Sequence, residues 1–110
     1  GNGPYRFDLG NVAKHLDFIH IMTYDLQNSS LATHHTALYD SSATLSGCSV
    51  ASSVQTYKNN GVPSNKIVIG LAFYGKRTSA TTLNGRASGG YKSLNYDVIA
   101  KDYLSRLNKM

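Results

Sequence analysis

The sequence predicts an α/β fold built on one βαβ unit of parallel strands. The segment from Phe18 to Tyr24 mixes β-branched, aromatic and small polar side chains without glycine or proline, which favours a buried strand. A helical pattern follows, and Lys66 to Gly75 is then apolar on both alternating faces, which is typical of a strand covered on both sides in a parallel sheet. Strand, helix and strand in this order form a βαβ unit, whose crossover should be right-handed.

Length and composition limit the chain to one domain or a piece of one. It has 110 residues, of which 41% are hydrophobic and 15% are charged, as in an ordinary globular chain. No apolar run reaches the roughly 18 residues that a membrane span needs, so we expect no membrane partner. No signal-peptide pattern opens the chain, so any export signal would lie outside it. The one cysteine, Cys48, excludes an internal disulfide.

The formal charge of +5 comes entirely from the part of the chain after Gly75. Before it, four basic residues balance four acidic ones; after it, seven lysines and arginines outnumber two aspartates. Because these charges are spread over thirty-four residues rather than clustered with aromatics, we expect a solvated face and no nucleic-acid partner. A basic nucleic-acid-binding domain stays open as a third hypothesis. All six acidic residues are aspartates, and the sequence contains no glutamate.

Two helices are predicted from their capping residues and apolar spacing. Asp8 precedes the first, a short helix in front of the first strand. Ser49 precedes the second, which runs about three turns and stops at Asn59-Asn60-Gly61, where glycine suits the C-cap. These helices precede the first and second strand, respectively.

The segment from Gln27 to Cys48 has no sustained period and predicts a long loop. Loops of this length in compact domains are usually functional or disordered. His34 and His35 are adjacent in it and project differently, so we expect no shared metal site without a third ligand.

Polar and aromatic side chains gather where the first strand ends. Alternation along the strand places Met22 and Tyr24 on the face opposite its two isoleucines. Asp25 follows at the point where the strand opens into a loop. Because α/β sheets keep their ligand sites at the carboxyl ends of strands, we expect a site here. Gly70, inside the second strand, predicts a close approach of another backbone or side chain.

The last third of the chain differs from the rest in composition and pattern. The segment from Lys76 to Gly90 is polar and has room for one irregular hairpin. Ser93 to Asn108 predicts a final helix, because its apolar residues share one face. These residues are Val98, Ile99, Leu104 and Leu107.

Three segments together resemble a known family. Asp17 to Leu26, followed about forty residues later by Gly61-Val62-Pro63 and then Lys66 to Gly75, closely resembles the sixth and seventh strand regions of glycoside hydrolase family 18 chitinases. The resemblance implies that residues 1–75 are part of a (β/α)8 TIM barrel, whose full size is about 250 residues.

The segments around these strands are similar to the same family. Thr33 to Tyr39 resembles the loop between the two strands, and Gly90-Tyr91 with the helix around Tyr96 to Ile99 resembles the small α+β insertion that many members carry after strand seven. The resemblance thus implies a partial insertion subdomain over residues 76–110.

The resemblance also implies a chemistry and a set of site residues. Family 18 enzymes hydrolyse β-1,4-linked N-acetylglucosamine polymers with retention, and the sugar's own 2-acetamido carbonyl attacks the anomeric carbon. Tyr24 and Asp25 would be catalytic, with the Tyr24 hydroxyl on the acetamido group and Asp25 hydrogen-bonding beside it. Met22, Tyr74 and Lys76 would join them in binding the substrate.

The same resemblance limits what the chain can do alone. The family's proton donor is the glutamate of a D-x-x-D-x-D-x-E signature on strand four, and this chain has no glutamate. We therefore expect a chitinase fragment that is inactive alone, or alternatively a non-catalytic chitin-binding lectin. The expected ligands are chitin or N-acetylglucosamine oligosaccharides, the location is extracellular, and no cofactor or metal is implied. Protein partners would be a second copy or the missing remainder of the barrel.

Each site residue also has a purely structural interpretation. Tyr24 and Met22 could pack in a barrel core, and Asp25 could cap the segment that follows it. The family often has Tyr-Gly-Arg where this chain has Lys76, which keeps the charge but loses the planar fork of arginine. Arg77 could take that role if the loop shifts by one residue, or both cations could simply be solvated.

Overall fold

A computed structural model of the chain describes residues 7–107. Within them lie two sheets of two strands each, one parallel and one antiparallel. In chain order the elements are α1 (Leu9–Ala13), β1 (Ile19–Ile21), α2 (Val50–Asn59), a 3-10 turn (Ser64–Lys66), β2 (Ile67–Ile69), β3 (Tyr74–Arg77), β4 (Lys92–Asn95), and a closing helix made of α3 (Tyr96–Ile99), a π-helical stretch (Ala100–Leu104) and α4 (Ser105–Leu107).

The predicted βαβ unit is confirmed. β1 and β2 pair in parallel, with Ile19 opposite Ile67 and Ile21 opposite Ile69, and α2 lies between them in the chain. Alternation along β1 also holds, because His20 is exposed between the half-buried Ile19 and the buried Ile21. The parallel pairing brings the carboxyl ends of both strands to one edge.

Both strands are shorter than the sequence predicts. Each has three residues, in place of the predicted segments Phe18 to Tyr24 and Lys66 to Gly75. The chain turns after Ile21, whose carbonyl accepts the N–H groups of Thr23 at 3.0 Å and of Gly70 at 2.8 Å. Beyond Gly70 the chain leaves this sheet and enters β3. The apolar segment from Lys66 to Gly75 therefore contributes residues to both sheets.

Both early helices begin where their sequences predict, and α2 also ends as predicted. The Asp8 carboxylate accepts the Asn11 N–H at 3.2 Å, and the Ser49 hydroxyl accepts the Ser52 N–H at 3.1 Å. Each bond pairs one of the amide groups that a helix start leaves free. After α2, Gly61 takes a φ of +91°, a conformation that glycine adopts without steric cost.

The hydrophobic core lies between α1 and one face of the parallel pair. Its buried members are Leu9, Ala13 and Val62, and the partly buried side chains packed against them are Ile19, Tyr57 and Ile67. Lys66 adds a polar link, because its Nζ donates to the Ala13 carbonyl at 2.6 Å. The core thus covers one side of β1 and β2, whereas parallel sheets are normally covered on both.

The long loop between β1 and α2 is fixed to the segment before β4. The Ala32 N–H donates to the Gly85 carbonyl and the Ala87 N–H donates to the Ser30 carbonyl, both at 2.8 Å. An isolated antiparallel bridge joins Leu31 and Arg86 between these bonds. The loop is therefore held by backbone pairing, without a helix or strand of its own between residues 27 and 48.

The structure corrects two predictions for the last third of the chain. Lys92–Asn95 is a strand, so the final helix begins at Tyr96 rather than at Ser93. The antiparallel hairpin is formed by β3 and β4 around residues 78–91, rather than within the segment from Lys76 to Gly90. Leu94 pairs across from Gly75, and such a non-local contact overrides the helical spacing of the sequence. The predicted helix end at Asn108 lies outside the described residues.

An apolar surface follows the end of β2. We define it by Ile69, Leu71 and Phe73, which alternate along the chain and are 41%, 69% and 79% exposed. Exposed apolar side chains next to an open strand edge favour association. Burying Leu71 or Phe73 in a contact should contribute roughly 1.5–3 kcal/mol each.

We expect the chain to self-associate through this apolar surface. Sedimentation velocity should show oligomers of the wild-type chain, and the double variant Leu71→Ser with Phe73→Ser should shift the population towards monomer. Leu83→Ser is the matched control, because Leu83 is 61% exposed but lies in the 78–91 segment. A monomeric wild type, or an equal shift in the control, would contradict the prediction.

Candidate functional site

The backbone after β1 is fastened to the end of β2. Thr23 is fully buried, and its hydroxyl donates to the Gly70 carbonyl at 2.7 Å. The Thr36 hydroxyl, from the long loop, donates to the Thr23 carbonyl at 2.7 Å. These bonds hold the residues that follow Thr23, namely Tyr24 and Asp25, at the carboxyl edge of the parallel sheet.

The ring of Tyr24 lies directly on Gly70. A Cβ atom at position 70 would stand 2.8 Å from Cε1 of Tyr24 and 3.1 Å from the Ile21 carbonyl oxygen. Both distances are too short for ordinary contact, so only glycine leaves room for the ring. The predicted close approach at Gly70 is confirmed, and its partners are the Tyr24 ring and the Ile21 backbone.

Three rings form an aromatic cluster at this edge: Tyr24, His35 and Tyr74. The Tyr24 and Tyr74 centroids are 6.2 Å apart at an interplanar angle of 75°, an edge-to-face arrangement. The His35 ring stacks on Tyr74 with centroids 5.3 Å apart and planes 28° apart. Such pairs contribute about 0.5–1.5 kcal/mol each beyond the area they bury. Tyr74 is therefore held from two sides.

A carboxylate and an ammonium complete the site beside the aromatic cluster. Lys76 Nζ lies 2.8 Å from Asp25 Oδ1, 3.0 Å from the Ser93 hydroxyl oxygen and 5.2 Å from the Tyr74 ring centroid. The Asp25 side chain is 50% exposed, so the ion pair contributes roughly 1 kcal/mol or less to stability. The ion pair mainly fixes the relative positions of two segments, because it links the end of β1 to β3.

The neighbours of Asp25 and Tyr74 fix their protonation states. The hydrogen bond from Lys76 lowers the pKa of Asp25, against the opposing effect of burial, and Tyr74 and His35 also lower it. Desolvation and the Asp25 carboxylate raise the pKa of Tyr74 to about 12. At neutral pH the site therefore presents a carboxylate acceptor and a neutral phenol donor.

The structure brings four of the five predicted site residues together: Tyr24, Asp25, Tyr74 and Lys76. The fifth, Met22, lies at the end of β1 with its side chain 71% exposed, and is accessible to a ligand. This exposure does not match the structural alternative for Met22, which was core packing.

The structural alternatives for the charged residues also differ from what is observed. The Asp25 carboxylate pairs with Lys76, and no helix begins in the loop that follows it. Arg77 reaches the Tyr103 hydroxyl instead, with 3.5 Å between its Nη1 and the oxygen. Lys76 is thus the cation of the site, and Arg77 belongs to the other face of β3.

His35 is the site residue that sequence reasoning missed. Its Nδ1 accepts the Asp25 N–H at 3.3 Å, besides the stacking on Tyr74. From the sequence, His35 is considered only as a metal ligand together with His34. A residue that stacks on another ring from a loop has no periodic sequence pattern that would predict the contact. Among residues 7–107, no group of three or more His, Cys, Asp and Glu side chains could hold a metal ion.

Fold and site together define a class of protein. Aromatic rings and a few convergent polar groups lie together at the carboxyl ends of parallel strands, the position that active sites take in α/β proteins, and they form a candidate ligand site. No helix in the described part of the chain is long and apolar enough to cross a membrane.

The chain belongs to the glycosyl hydrolases family 18, whose sequence model matches residues 2–107. It is 31% identical to Endochitinase 1 of Metarhizium robertsii over an alignment of 133 residues, which covers 97% of this chain and 31% of that protein. The family that the sequence resembles is confirmed. The chain spans about a third of this relative's length.

Solved structures support the same assignment. The chain is similar to a glycoside hydrolase family 18 N-acetylglucosaminidase from Paenibacillus barengoltzii, with 33% identity and a TM-score of 0.77 over 87% of this chain and 31% of that one. It also shares the fold of a chitinase-like agglutinin from Robinia pseudoacacia, with a TM-score of 0.72 and 24% identity over 89% of this chain and 31% of that one.

Proposed function

We propose that this chain supplies the acetamido-positioning and sugar-binding part of a chitinase active site. The substrate would be a β-1,4-linked N-acetylglucosamine polymer. The observation that carries this proposal is the convergence of Tyr24, Asp25, Tyr74 and Lys76 at the carboxyl ends of the parallel strands, in a chain of family 18.

Each residue has a role in the substrate-assisted reaction. The Tyr24 hydroxyl donates to the acetamido group and orients its carbonyl oxygen for attack on the anomeric carbon. Asp25, ionised beside Lys76, accepts a hydrogen bond from the acetamido N–H and stabilises the positive charge that develops on the ring formed. Tyr74 and Lys76 offer a phenol and an ammonium to sugar oxygens, and Met22 lines the same subsite.

The proton for the leaving sugar has to come from another part of the barrel. We propose that β1 and β2 are the sixth and seventh strands of a (β/α)8 barrel, that residues 1–75 belong to it and that residues 76–110 belong to the insertion. This division falls within β3, at the start of the second sheet. Further polypeptide of the same family would add the remaining strands and the catalytic glutamate, and the protein would act outside the cell.

Binding of chitotetraose to the chain tests the proposal. Asp25→Ala and Tyr24→Phe should each weaken binding about tenfold, equivalent to about 1.4 kcal/mol, because each removes a hydrogen bond to the acetamido group. Isothermal titration or NMR titration measures the change. Cellotetraose, which lacks acetamido groups, should bind more weakly than chitotetraose.

Matched controls separate the site from general effects of the substitutions. Asp17→Ala and Tyr96→Phe remove the same groups at exposed positions outside the site and should leave binding unchanged. If the wild-type chain binds no chitotetraose, or binds cellotetraose equally well, the proposed function is wrong.

The second candidate function is a chitin-binding lectin. A lectin needs no proton donor, and the described site offers hydrogen-bonding groups without a general acid, because Asp25 is ionised and the pKa of Tyr74 is raised to about 12. Both candidates predict binding by this chain, and they differ in the rest of the protein. A D-x-x-D-x-D-x-E signature upstream in a parent sequence would indicate an enzyme, and a signature without its glutamate would indicate a lectin.

A further inference from the structure

We infer that His35 is a positioning residue of the proposed sugar site, a neutral imidazole that holds the Asp25 backbone and the Tyr74 ring in their binding positions. The inference rests on the proposed function, because it names a residue that acts on that site through two others. His35 belongs to the loop between β1 and α2. Asp25 follows β1 of the parallel sheet, and Tyr74 begins β3 of the antiparallel sheet.

His35 contacts the backbone of the β1 end twice. Its Nδ1 accepts the Asp25 N–H at 3.3 Å, and its carbonyl accepts the Leu26 N–H at 3.0 Å. Asp25 has a φ of +58°, in the left-handed region that residues other than glycine rarely adopt. The two bonds pair the amide of the strained residue and the amide after it, and so stabilise the turn that aims the carboxylate at Lys76.

The ring of His35 fixes the second binding residue. It stacks on Tyr74 at 5.3 Å, on a ring that Tyr24 contacts edge-to-face. A loss of this stacking would remove one of the two ring contacts that hold Tyr74. His35 therefore connects the carboxylate and the phenol of the site without itself having to contact the sugar.

The contact with Asp25 requires the neutral form of His35. A ring nitrogen that accepts a hydrogen bond carries no proton, and protonation would set an N–H group against the Asp25 N–H. The titratable groups around the imidazole are Asp25 after β1, and Tyr74 and Lys76 on β3. Burial is the largest effect on the pKa of His35 and lowers it, and the positive charge of Lys76 lowers it further. The Asp25 carboxylate and a hydrogen bond with the Tyr74 backbone act in the opposite direction.

The direction of the pH effect follows from this lowered pKa. In the unfolded chain a histidine takes up its proton near pH 6.5, whereas in the folded chain His35 stays neutral to lower pH. Between these two values the unfolded chain binds more protons, so the folded arrangement loses stability as the pH falls. Binding of chitotetraose should weaken in acid for the same reason, although Asp25 remains ionised.

Three substitutions separate the two contacts of His35. His35→Asn keeps an acceptor near the Nδ1 position but loses the ring, His35→Phe keeps the ring but loses the acceptor, and His35→Ala loses both. Near pH 8 we expect His35→Ala to weaken chitotetraose binding about tenfold and the other two to have smaller effects. Between about pH 8 and pH 5 wild-type binding should fall severalfold, whereas the Asn and Phe variants should show a flat profile.

The adjacent histidine provides the control. His34→Asn should keep the wild-type pH profile, because His34 is exposed and forms none of these contacts. A flat wild-type profile, wild-type binding by His35→Ala, or loss of the pH dependence in His34→Asn would overturn the inference.

A measurement without sugar distinguishes this inference from the proposed function. In an NMR titration of the free chain, the imidazole of His35 should titrate below its ordinary value, and the Asp25 amide resonance should shift with the same midpoint. If the chain binds no chitotetraose but this coupling is present, the function is wrong and the positioning contact stands. If the Asp25 amide does not follow His35, the inference is wrong whatever the chain binds.

Discussion

Incubated alone with chitotetraose, the 110-residue chain should release no product above the uncatalysed blank. A general acid works best when its pKa lies near the operating pH. The pKa of Asp25 is lowered by Lys76, so at neutral pH this carboxyl has no proton to give. Tyr74 has its pKa raised to about 12 and holds its proton too strongly. No glutamate exists elsewhere in the sequence to replace them.

The assay follows chitotetraose by mass spectrometry, with an intact family 18 chitinase as the positive control. Lys76→Ala is the informative variant, because it removes the largest cause that lowers the pKa of Asp25. It should also be inactive, since the carboxyl would return only towards its ordinary pKa, which lies well below neutral. Product formed by the wild-type chain and abolished by Asp25→Ala would show that Asp25 can donate the proton, and the assignment of roles would be wrong.

Much of the parallel unit could be predicted because its signals are local. Asp8 and Ser49 cap helices through bonds to residues three positions on, and Gly61 ends a helix through its own φ. The predicted site residues lie close together for a topological reason: parallel strands end at the same edge, so residues near the ends of both meet there. Tyr24 and Tyr74, fifty residues apart, are in edge-to-face contact for this reason.

The features that the sequence did not predict depend on contacts between distant segments. The helical spacing after Ser93 is real from Tyr96 onwards, but Ser93 itself pairs with Lys76 of β3 and is part of a strand. His35 likewise shows no pattern of its own, because its position depends on how a 22-residue loop returns to the strand end. Neither the pairing of Ser93 with Lys76 nor the contact of His35 with Asp25 can be predicted from the neighbouring sequence.

The structure distinguishes Lys76 from Arg77, which the sequence alone does not. Both cations follow Tyr74, and composition cannot say which one lies beside Asp25 in the candidate site. In β3 successive side chains project to opposite faces, so Lys76 meets Asp25 and Arg77 turns to Tyr103. A shifted loop is therefore unnecessary, and the site has an ammonium where the family often has a guanidinium.

Gly70→Ala should disrupt both the fold of the strand ends and the site. The added methyl would stand 2.8 Å from Cε1 of Tyr24 and 3.1 Å from the Ile21 oxygen, which is fixed by two backbone bonds. Because the backbone cannot yield easily, the Tyr24 ring must move. We expect a loss of about 1–3 kcal/mol in the free energy of unfolding, measured by urea denaturation, which is typical of overpacking. Chitotetraose binding should weaken about tenfold or more, since the displaced ring also supports Tyr74.

A double-mutant cycle shows whether the Tyr24 ring is the cause. Tyr24→Ala removes Cε1, so in its presence Gly70→Ala should cost much less stability, although binding stays weak because the hydroxyl is absent. Gly47→Ala is the control: Gly47 has a φ of +72° but open space around it, so alanine there should cost some stability through backbone strain and leave binding unchanged. If Gly70→Ala and Tyr24→Ala have additive effects on stability, the two positions are not coupled, and the Tyr24 ring is held by something other than its contact with Gly70.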